Sequence, residues 1–480
     1  MSHTAPPTHE VTRALSDCAR AAGFRFGEDT AVVAVQHMLE QTVVLFKAAA
    51  CMGLKLRNVF ALGKVYSNSL PVIERLRGLG VTVLESTVPP PGEFNRYCQS
   101  ETNRLWQIVA KALPGRRIKR LLVLDDGGVC ITSVPPEILK QYDVCGVEQT
   151  SLGTFLFEEK PPAITVFSWA RTAVKLQIGG PIFSQCFIER FRRDFLRGGS
   201  LHGAQLGIIG MGSIGKALAN LAAREGDRLS YYDPIPDALV PASLRDKVTR
   251  VNSLEELMLR CDYVVGCSGR NPFKGNWPLS YKPGIKLLSA SGGDQEFGPI
   301  INDLRHKPDF KITPKSWDIS CKQGPSGPIQ IAYLGYPYNF VSRATEAVPT
   351  AIVQIEIGGL LAALMQARLY LELTETTRQQ NSGIQRTAPS AQRFIYYTWL
   401  NAMADRRIDV IDLFGYDPAM LNVMSDDEWF IQNTQPKQGA YYTPIHQLEE
   451  MMDYIFSVCT AVSRLLEGKA ESNLCTLGTG

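Results

Sequence analysis

The chain has 480 residues, of which 45% are apolar, and its 50 basic and 47 acidic side chains leave a net charge of only +3. A chain of this length exceeds one hydrophobic core and predicts two or three globular domains. The charges are mixed along the chain, which excludes the basic surfaces typical of nucleic-acid or anionic-membrane binding. A small molecule is therefore the expected ligand.

The N-terminal segment and the cysteines bear on the cellular compartment. Residues 1–23 lack the apolar segment of a secretory signal, and the apolar runs elsewhere look too short to cross a bilayer, which predicts a cytoplasmic protein without a membrane partner. The 11 cysteines are odd in number and show no paired CxxC spacing. We therefore expect reduced, mostly buried thiols and no bound metal.

Short β-branched runs alternate with helical patterns in the first part of the chain. The predicted strands are Thr30–His37, Asn58–Gly63, Val81–Ser86, Arg120–Gly128 and Pro162–Ser168. Strands that are separated by helices predict a parallel sheet. This part is expected to be a substrate-type α/β domain over residues 1–188.

A second series of strands follows a basic helical segment at 187–199. Its members lie at 205–210, 228–233, 261–269, 285–294 and 329–337. From about residue 349 the pattern is helical, so we expect an α/β fold with two doubly wound parallel-sheet domains and C-terminal helices. The predicted domains are an NAD-binding Rossmann domain at 189–348 and a helical return to the first domain at 349–480, which also carries a homodimer or homotetramer interface.

A glycine-rich motif opens the second series. Gly210, Gly212 and Gly215 follow an apolar strand and begin a helix, as the close approach of a pyrophosphate to the backbone requires. Asp233 ends the next strand, where a carboxylate accepts hydrogen bonds from ribose hydroxyls. The acid disfavours a 2′-phosphate, so the motif predicts NAD as the cofactor.

The strand ends of the first domain carry polar side chains, and in parallel sheets ligands bind beyond these ends. His37 is either a hydrogen-bonded core histidine or an acid–base group. Asp125 and Asp126 precede two glycines and form either a tight turn or a ligand site. Lys64 follows a strand and a glycine, and we interpret it as a surface lysine.

Several segments, in chain order, resemble blocks of S-adenosylhomocysteine hydrolase, in which NAD transiently oxidises the ribose of the substrate. The segments are QHMLEQTVVL, LVLDDGG, GVEQTSLGT, PAITVFSWARTAVKLQIGG, GMGSIGK with Asp233, SASGGDQEF and GYPYNFV. The resemblance identifies the chain as a divergent member of that family. It implies a nucleoside-like small-molecule substrate and a homo-oligomer.

The resemblance also implies roles for individual residues. Its cofactor-binding residues are Gly210, Gly212, Ser213, Ile214, Gly215, Asp233, Thr150, Ser151 and Ser268. Its catalytic residues are His37, Asp125, Asp126 and Gln149, with Lys175 as a replacement for the family's lysine. The family's lysine aligns with Thr172, and two of its histidines align with Gly292 and Tyr336.

Three functions remain open at this point. The first is an NAD-dependent adenosylhomocysteinase-like enzyme with altered substrate or chemistry, acting on a nucleoside or related polyol. The second is a catalytically inactive NAD-sensing regulator or scaffold. The third is a 2-hydroxyacid dehydrogenase-like oxidoreductase, which the glycine motif also fits, although Arg270, Glu296 and His306 do not give a convincing arginine, acid and histidine set.

Overall fold

The computed structural model describes residues 9–196, 201, 203–224, 226, 228–235, 240, 244–273, 277, 279–338, 350–380, 382–410 and 445–458. The strands are β1 Thr30–Met38, β2 Val59–Asn68, β3 Thr82–Leu84, β4 Arg120–Asp125, β5 Asp143–Glu148, β6 Val166–Ser168, β7 Leu206–Ile209, β8 Leu229–Tyr232, β9 Val248–Arg250, β10 Tyr263–Gly266, β11 Ile285–Ser289, β12 Lys311–Ile312, β13 Ile319–Gly324, β14 Gly327–Ile331 and β15 Ile384–Arg386.

The α-helices lie between and after these strands. They are α1 Glu10–Ala21, α2 Glu40–Cys51, α3 Leu70–Gly78, α4 Phe94–Ala112, α5 Val129–Thr132, α6 Pro136–Gln141, α7 Ser151–Glu159, α8 Gly180–Phe195, α9 Ser213–Arg224, α10 Leu254–Arg260, α11 Gly298–Leu304, α12 Thr350–Tyr370, α13 Glu375–Gln380 and α14 Pro389–Asp405. A further helical segment spans 446–458.

The first sheet has seven parallel strands in the order β3-β2-β1-β4-β5-β6-β15. Its central strands are apolar without alternation, as Ala31–Val35 and Leu121–Leu124 show, because a parallel sheet is covered by helices on both faces. The last strand, β15, comes from the C-terminal part of the chain and pairs with β6.

The second sheet has eight strands in the order β9-β8-β7-β10-β11-β14-β13-β12. Its six parallel strands follow the 3-2-1-4-5-6 order of dinucleotide-binding domains. The antiparallel extension by β12 and β13 was not expected from the sequence. The prediction of an α/β fold with two doubly wound parallel sheets and C-terminal helices is confirmed.

The C-terminal helices complete the core of the first sheet. The helix α12 packs against α1, α2 and α14 and against β4, β5 and β6. Among the described residues, one helix window, Ala351–Tyr370, is long and apolar enough to span a membrane, and 94% of it is buried inside the protein. The expectation that every apolar run is too short was therefore wrong, and the core position of this helix accounts for its composition.

The cysteines follow the expectation of reduced, mostly buried thiols only in part. Eight cysteines in the described part of the chain carry free thiols, and four of these are buried. Cys18 is disulfide-bonded, so the expectation of reduced thiols is wrong at that position. No group of three or more metal-ligating side chains occurs among the residues that the structure describes.

Candidate functional site

The order of strands changes direction at one point in each sheet, and ligands of α/β proteins bind at such points. In the first sheet the change lies between β1, which carries His37, and β4, which Asp126 follows. In the second sheet it lies between β7, which Gly210 follows, and β10, which leads to Ser268. Topology therefore groups the predicted site residues at two crevices.

A polar cluster forms at the crevice of the first sheet. Asp126 bridges two basic side chains, because its Oδ1 lies 2.9 Å from Lys64 Nζ and its Oδ2 lies 3.2 Å from His37 Nε2. The other imidazole nitrogen, Nδ1, lies 2.6 Å from Ser67 Oγ. The Lys64 and Asp126 side chains are each 7% exposed and that of His37 is 12% exposed. The cluster of His37, Lys64, Ser67 and Asp126 is thus nearly buried and internally paired.

Burial and charge act against each other in this cluster. Burial alone would raise the pKa of Asp126, but the charge of Lys64 and the contact with His37 hold it well below the usual range for aspartate. Burial alone would lower the pKa of Lys64, but Asp126 raises it well above the usual range for lysine. Both shifts favour the ion pair, so a fixed carboxylate and a fixed ammonium face each other at neutral pH.

The interpretation of Lys64 as a surface lysine is wrong. The strand β2 runs to Asn68, five positions beyond the predicted end at Gly63, and Lys64 is only 6% exposed. The structure also adds Ser67 to the site, since it lies on the same strand. A polar residue that continues an apolar strand is the pattern that could have indicated both.

The two adjacent aspartates have different surroundings. Asp125 Oδ2 accepts a hydrogen bond from the backbone of Ile131, and burial raises the pKa of Asp125 to about 6. Its neighbour in register across the sheet is Glu148, whose Oε1 accepts hydrogen bonds from the Gly127 backbone and from Thr150. Burial and the neighbouring Asp125 raise the pKa of Glu148 well above its usual range. Glu148 therefore joins the loops that follow β4 and β5.

Three other predicted residues have structural partners. Gln149 Oε1 accepts a hydrogen bond from Gln36 at 2.8 Å. Thr150 caps α7 by accepting from the backbone of Gly153, and Ser151 is the first residue of that helix. Their roles toward a substrate or cofactor stay predictions.

Lys175 lies on the segment that leads into α8. Its Nζ donates to Glu356 Oε2 at 2.8 Å and lies 4.9 Å from the centre of the Phe183 ring. Trp169 Nε1 donates to the same carboxylate oxygen. These neighbours give Lys175 an ion pair with α12 rather than a place in the polar cluster.

The glycine motif has the geometry that a dinucleotide needs. Gly210 has a φ of +91°, and a Cβ on it would lie 2.9 Å from Ser268 Cα. A Cβ on Gly215 would lie 2.0 Å from the carbonyl oxygen of Gly210, so the helix packs closely on the turn. A Cβ on Gly212 would meet nothing within 4 Å. The turn is therefore rigid on two sides and open at Gly212, where a pyrophosphate can approach the backbone.

The residues around this turn are fixed by hydrogen bonds. Ser213 Oγ donates to the carbonyl oxygen of Leu176, which ties the start of α9 to the segment between the domains. Ile214 is partly buried in the core of the same domain. Asp233 is 7% exposed and its carboxylate accepts from the backbone of Met211 and Ile235, at 2.7 and 2.8 Å. Asp233 thus shapes the turn from the end of β8.

A cavity of about 510 Å³ lies between the two sheets. Side chains and loops of both domains line it, including Leu62, Lys64, Phe94, Asp126, Phe155 and Arg270. Arg270 closes one side, because its guanidinium lies 4.0 Å from the centre of the Phe155 ring and 2.9 Å from Glu158. Two members of the polar cluster, Lys64 and Asp126, and the loop after β10 therefore face a common space of small-molecule size.

One segment of the chain matches a protein-family model, and part of the chain is similar to two curated proteins. Residues 184–272 match the model of the NAD-binding domain of D-isomer specific 2-hydroxyacid dehydrogenases. Two uncharacterized proteins from two strains of Mycobacterium tuberculosis are each 27% identical over 342 residues, which cover 69% of this chain and 63% of the relative. The chain thus matches less than two thirds of the length of these relatives.

The chain is also similar, at low identity, to parts of solved structures. A D-isomer specific 2-hydroxyacid dehydrogenase family protein from Aeromonas salmonicida is 14% identical, with 68% of this chain and 93% of that chain covered and a TM-score of 0.33. D-lactate dehydrogenase from Escherichia coli is 16% identical, with 57% and 78% covered and a TM-score of 0.28. Because the TM-scores are low, the family model carries the comparison.

The matched segment contains the glycine motif, Asp233 and Ser268, and it shows that the second sheet is an NAD-binding domain. The prediction of NAD as cofactor is confirmed. The match supports an enzyme of the oxidoreductase class.

The identification as an S-adenosylhomocysteine hydrolase relative is wrong, and so is the function that followed from it. The family model points to 2-hydroxyacid dehydrogenases, and hydrolase or nucleoside chemistry has no support. The error has a physical origin, since a glycine turn and strand-end acids serve any enzyme that binds a dinucleotide between α/β domains. The positions that would have carried the hydrolase reaction hold Thr172, Gly292 and Tyr336 instead.

The three residues weighed for a dehydrogenase have separate partners. Arg270 pairs with Glu158, and the fully buried Glu296 is bonded to serines. His306 is exposed and lies beside Arg305. The acid–base group of this chain is therefore to be sought in the polar cluster of the first domain.

Proposed function

We propose that this protein is an NAD-dependent dehydrogenase, related to 2-hydroxyacid dehydrogenases, whose substrate binds in the cavity between the two sheets. When bound, the nicotinamide supplies or accepts the hydride, and the carbon that exchanges it belongs to a small hydroxy or oxo acid. One observation carries the proposal. Asp126 bridges Lys64 and His37 at the crevice of the first sheet, and the cavity beside them is also lined by the NAD-binding domain.

Oxidation of an alcohol requires a group that takes the hydroxyl proton, and histidine is the side chain best suited to this near neutral pH. In the proposed mechanism that proton reaches His37 Nδ1 through the Ser67 hydroxyl, which takes the substrate proton as it passes its own to the ring, and Asp126 stabilises the imidazolium from 3.2 Å on the Nε2 side. The contact with Ser67 orients the ring. Lys64, which lines the cavity, holds Asp126 ionised and provides a positive charge near the substrate oxygen.

The residues that would hold the cofactor are in the second domain, around the glycine turn after β7. The backbone of the turn from Gly210 to Gly215 would bind the pyrophosphate, and Asp233 would accept from the ribose. The cavity volume of about 510 Å³ falls within the range of about 300–1,000 Å³ that is usual for small-molecule sites. A substrate of a few carbon atoms with a modest apolar side chain fits the apolar part of the lining, which includes Leu62 and Phe94.

The test pairs two histidine variants. The protein is mixed with NAD and a series of 2-hydroxy acids, or with NADH and the corresponding 2-oxo acids, and the absorbance of the reduced nicotinamide is followed. His37→Ala is expected to lower kcat/KM by about 10²–10⁴-fold, the usual contribution of a general acid–base group. His306→Ala is the matched control, because this exposed histidine contacts Arg305 and belongs to neither the polar cluster nor the cavity lining.

The outcome separates the candidates. Turnover that falls in His37→Ala and persists in His306→Ala supports the proposal. Turnover that His37→Ala retains would assign the proton transfer to another group. Binding of NADH without turnover of any member of the series would favour a catalytically inactive NAD-sensing protein. The separate partners of Arg270, Glu296 and His306 are consistent with that alternative, because these residues do not form a catalytic set.

A further inference from the structure

A buried glutamate lies beneath the loop that follows β10. Gly266, the last residue of that strand, has no room for a side chain, since a Cβ would lie 2.0 Å from Glu296 Oε2. Glu296 itself is 0% exposed. A carboxyl group that is buried this completely needs hydrogen-bond donors around it.

Two strand ends supply those donors. Glu296 Oε1 accepts from the backbone N–H of Ser268 at 2.5 Å and from its hydroxyl at 2.7 Å. Oε2 accepts from the hydroxyl of Ser289, the last residue of β11, at 3.1 Å. Glu296 thus joins the loop after β10 to the end of β11.

The loop that Glu296 holds touches both the cofactor turn and the cavity. A Cβ on Gly210 would lie 2.9 Å from Ser268 Cα, so the first glycine of the motif rests directly on this loop. Two residues later, Arg270 lies over Phe155 of the first domain. The position of this loop therefore affects the glycine turn on one side and the cavity wall on the other.

We infer that Glu296 is a positioning residue for the cofactor, because it fixes the loop after β10 against Gly210. Ionisation of Glu296 weakens the binding of NAD(H). The ionised carboxylate adds a buried negative charge close to the turn that would hold the diphosphate. Protonation removes this charge and leaves a carbonyl oxygen to accept from Ser268. The inference concerns cofactor binding and does not depend on the proposed substrate chemistry.

Other titratable groups lie near Glu296 and near the glycine turn. Burial raises the pKa of Glu296 to about 7, although its serine partners oppose the shift. The pKa of Cys267 is raised well above its usual range by burial and by Glu296. Burial raises the pKa of Asp294 to about 6, but its hydrogen bonds go to backbone N–H groups of the 92–94 segment and its own. On the far side of the turn, Asp233 accepts from the backbone of Met211 and Ile235.

The experiment measures the Kd of NADH by fluorescence titration in the full-length protein, over one pH unit on each side of the Glu296 pKa of about 7. In the wild type the Kd is expected to rise by about three- to tenfold across this interval, as a nearby buried charge requires. Glu296→Gln imitates the protonated form, and its Kd is expected to be independent of pH. Asp294→Asn is the matched control and should keep the wild-type profile.

A second variant tests the same claim if the first does not fold. Ser268→Ala removes a hydroxyl that donates to the ionised form, so the midpoint of the pH dependence should move upward. A purely structural role for Glu296 would weaken binding at every pH without changing the midpoint. A wild-type Kd without pH dependence, or a Glu296→Gln profile that follows the wild type, would overturn the inference.

Discussion

Replacing Asp126 by asparagine removes the negative charge that two basic side chains share in the polar cluster. Lys64 would keep its ammonium group in a site where its side chain is only 7% exposed. The oxygen that lies 2.9 Å from this group in the wild type would then belong to a neutral amide. Breaking a buried ion pair by removing one partner typically costs about 3–5 kcal/mol of unfolding free energy. We expect a loss of this size, because the nearly buried Lys64 loses its ion-pair partner.

The pH dependence of this loss follows from the two pKa shifts. The pKa of Asp126 is lowered in the folded state, so its contribution is present above the unfolded value of about 4 and disappears as the pH falls through the folded value. The pKa of Lys64 is raised, so its contribution is present below about 10 and is lost only as the pH rises through its folded value. The contributions of Asp126 and Lys64 to the difference in stability between wild type and Asp126→Asn should therefore both be fully present between about pH 5 and pH 9.

The assay is chemical unfolding of the wild type, Asp126→Asn, Lys64→Met and the double variant. Unfolding is monitored with two spectroscopic probes, because a two-domain chain can deviate from two-state behaviour. Lys64→Met with Asp126→Asn should recover most of the stability, since neither charge is then left buried alone. Two results would refute the reasoning: a cost of less than about 1 kcal/mol for Asp126→Asn, or a double variant less stable than either single variant.

Three further predictions concern the cofactor turn and the segment between the domains. Gly210→Ala should both destabilise the fold and abolish NADH binding, because the φ of Gly210 is +91° and a Cβ would clash with the loop after β10. Gly212→Ala should leave the unfolding midpoint unchanged, because a Cβ there meets nothing within 4 Å, and it should weaken NADH binding by about tenfold or more. Wild-type protein should bind NADH more tightly than NADPH, and Asp233→Asn should narrow the difference measured by fluorescence titration. Lys175→Met should lower the thermal unfolding midpoint, because it leaves the buried carboxylate of Glu356 without its ion-pair partner. The Kd of NADH should stay within about twofold, because the Lys175 side chain pairs with α12 and not with the glycine turn.

Much of the fold could be predicted from the sequence because each strand is a short apolar run bounded by turn residues. The central strands β1 and β4 are buried on both faces, so their sequences are continuous apolar runs, and such runs are typical of strands in a parallel sheet. The antiparallel pair β12 and β13 was missed, since Lys311 and Ile312 form a strand of only two exposed residues. Local composition does not determine so short an edge strand.

The site could be predicted in part for a topological reason. The carboxyl ends of parallel strands meet at one edge of the sheet, so the strand-end candidates His37 and Asp126 lie close together. Lys64 was misjudged because the end of β2 lies five residues later than the pattern suggested. Glu296 was underrated because its importance depends on Gly266 and Ser268, which are distant in sequence and adjacent only in the folded sheet.

The family was mistaken because the motifs used to identify it perform a shared task. A glycine turn and a strand-end acid bind NAD in several enzyme classes, so they report the cofactor and not the reaction. The segment that distinguishes the reaction lies around Lys175, and there the structure shows an ion pair with Glu356 instead of a catalytic group.

The most direct test of the proposed function is the transfer of deuterium from NADH that is labelled at C4 of the nicotinamide. Wild-type protein is incubated with the labelled NADH and a mixture of 2-oxo acids, and the masses of the products are measured by mass spectrometry. The proposal predicts a 2-hydroxy acid that carries one deuterium on its hydroxyl-bearing carbon. The His37→Ala variant is expected not to form this labelled product. Protein that binds NADH but transfers no deuterium to any 2-oxo acid would contradict it.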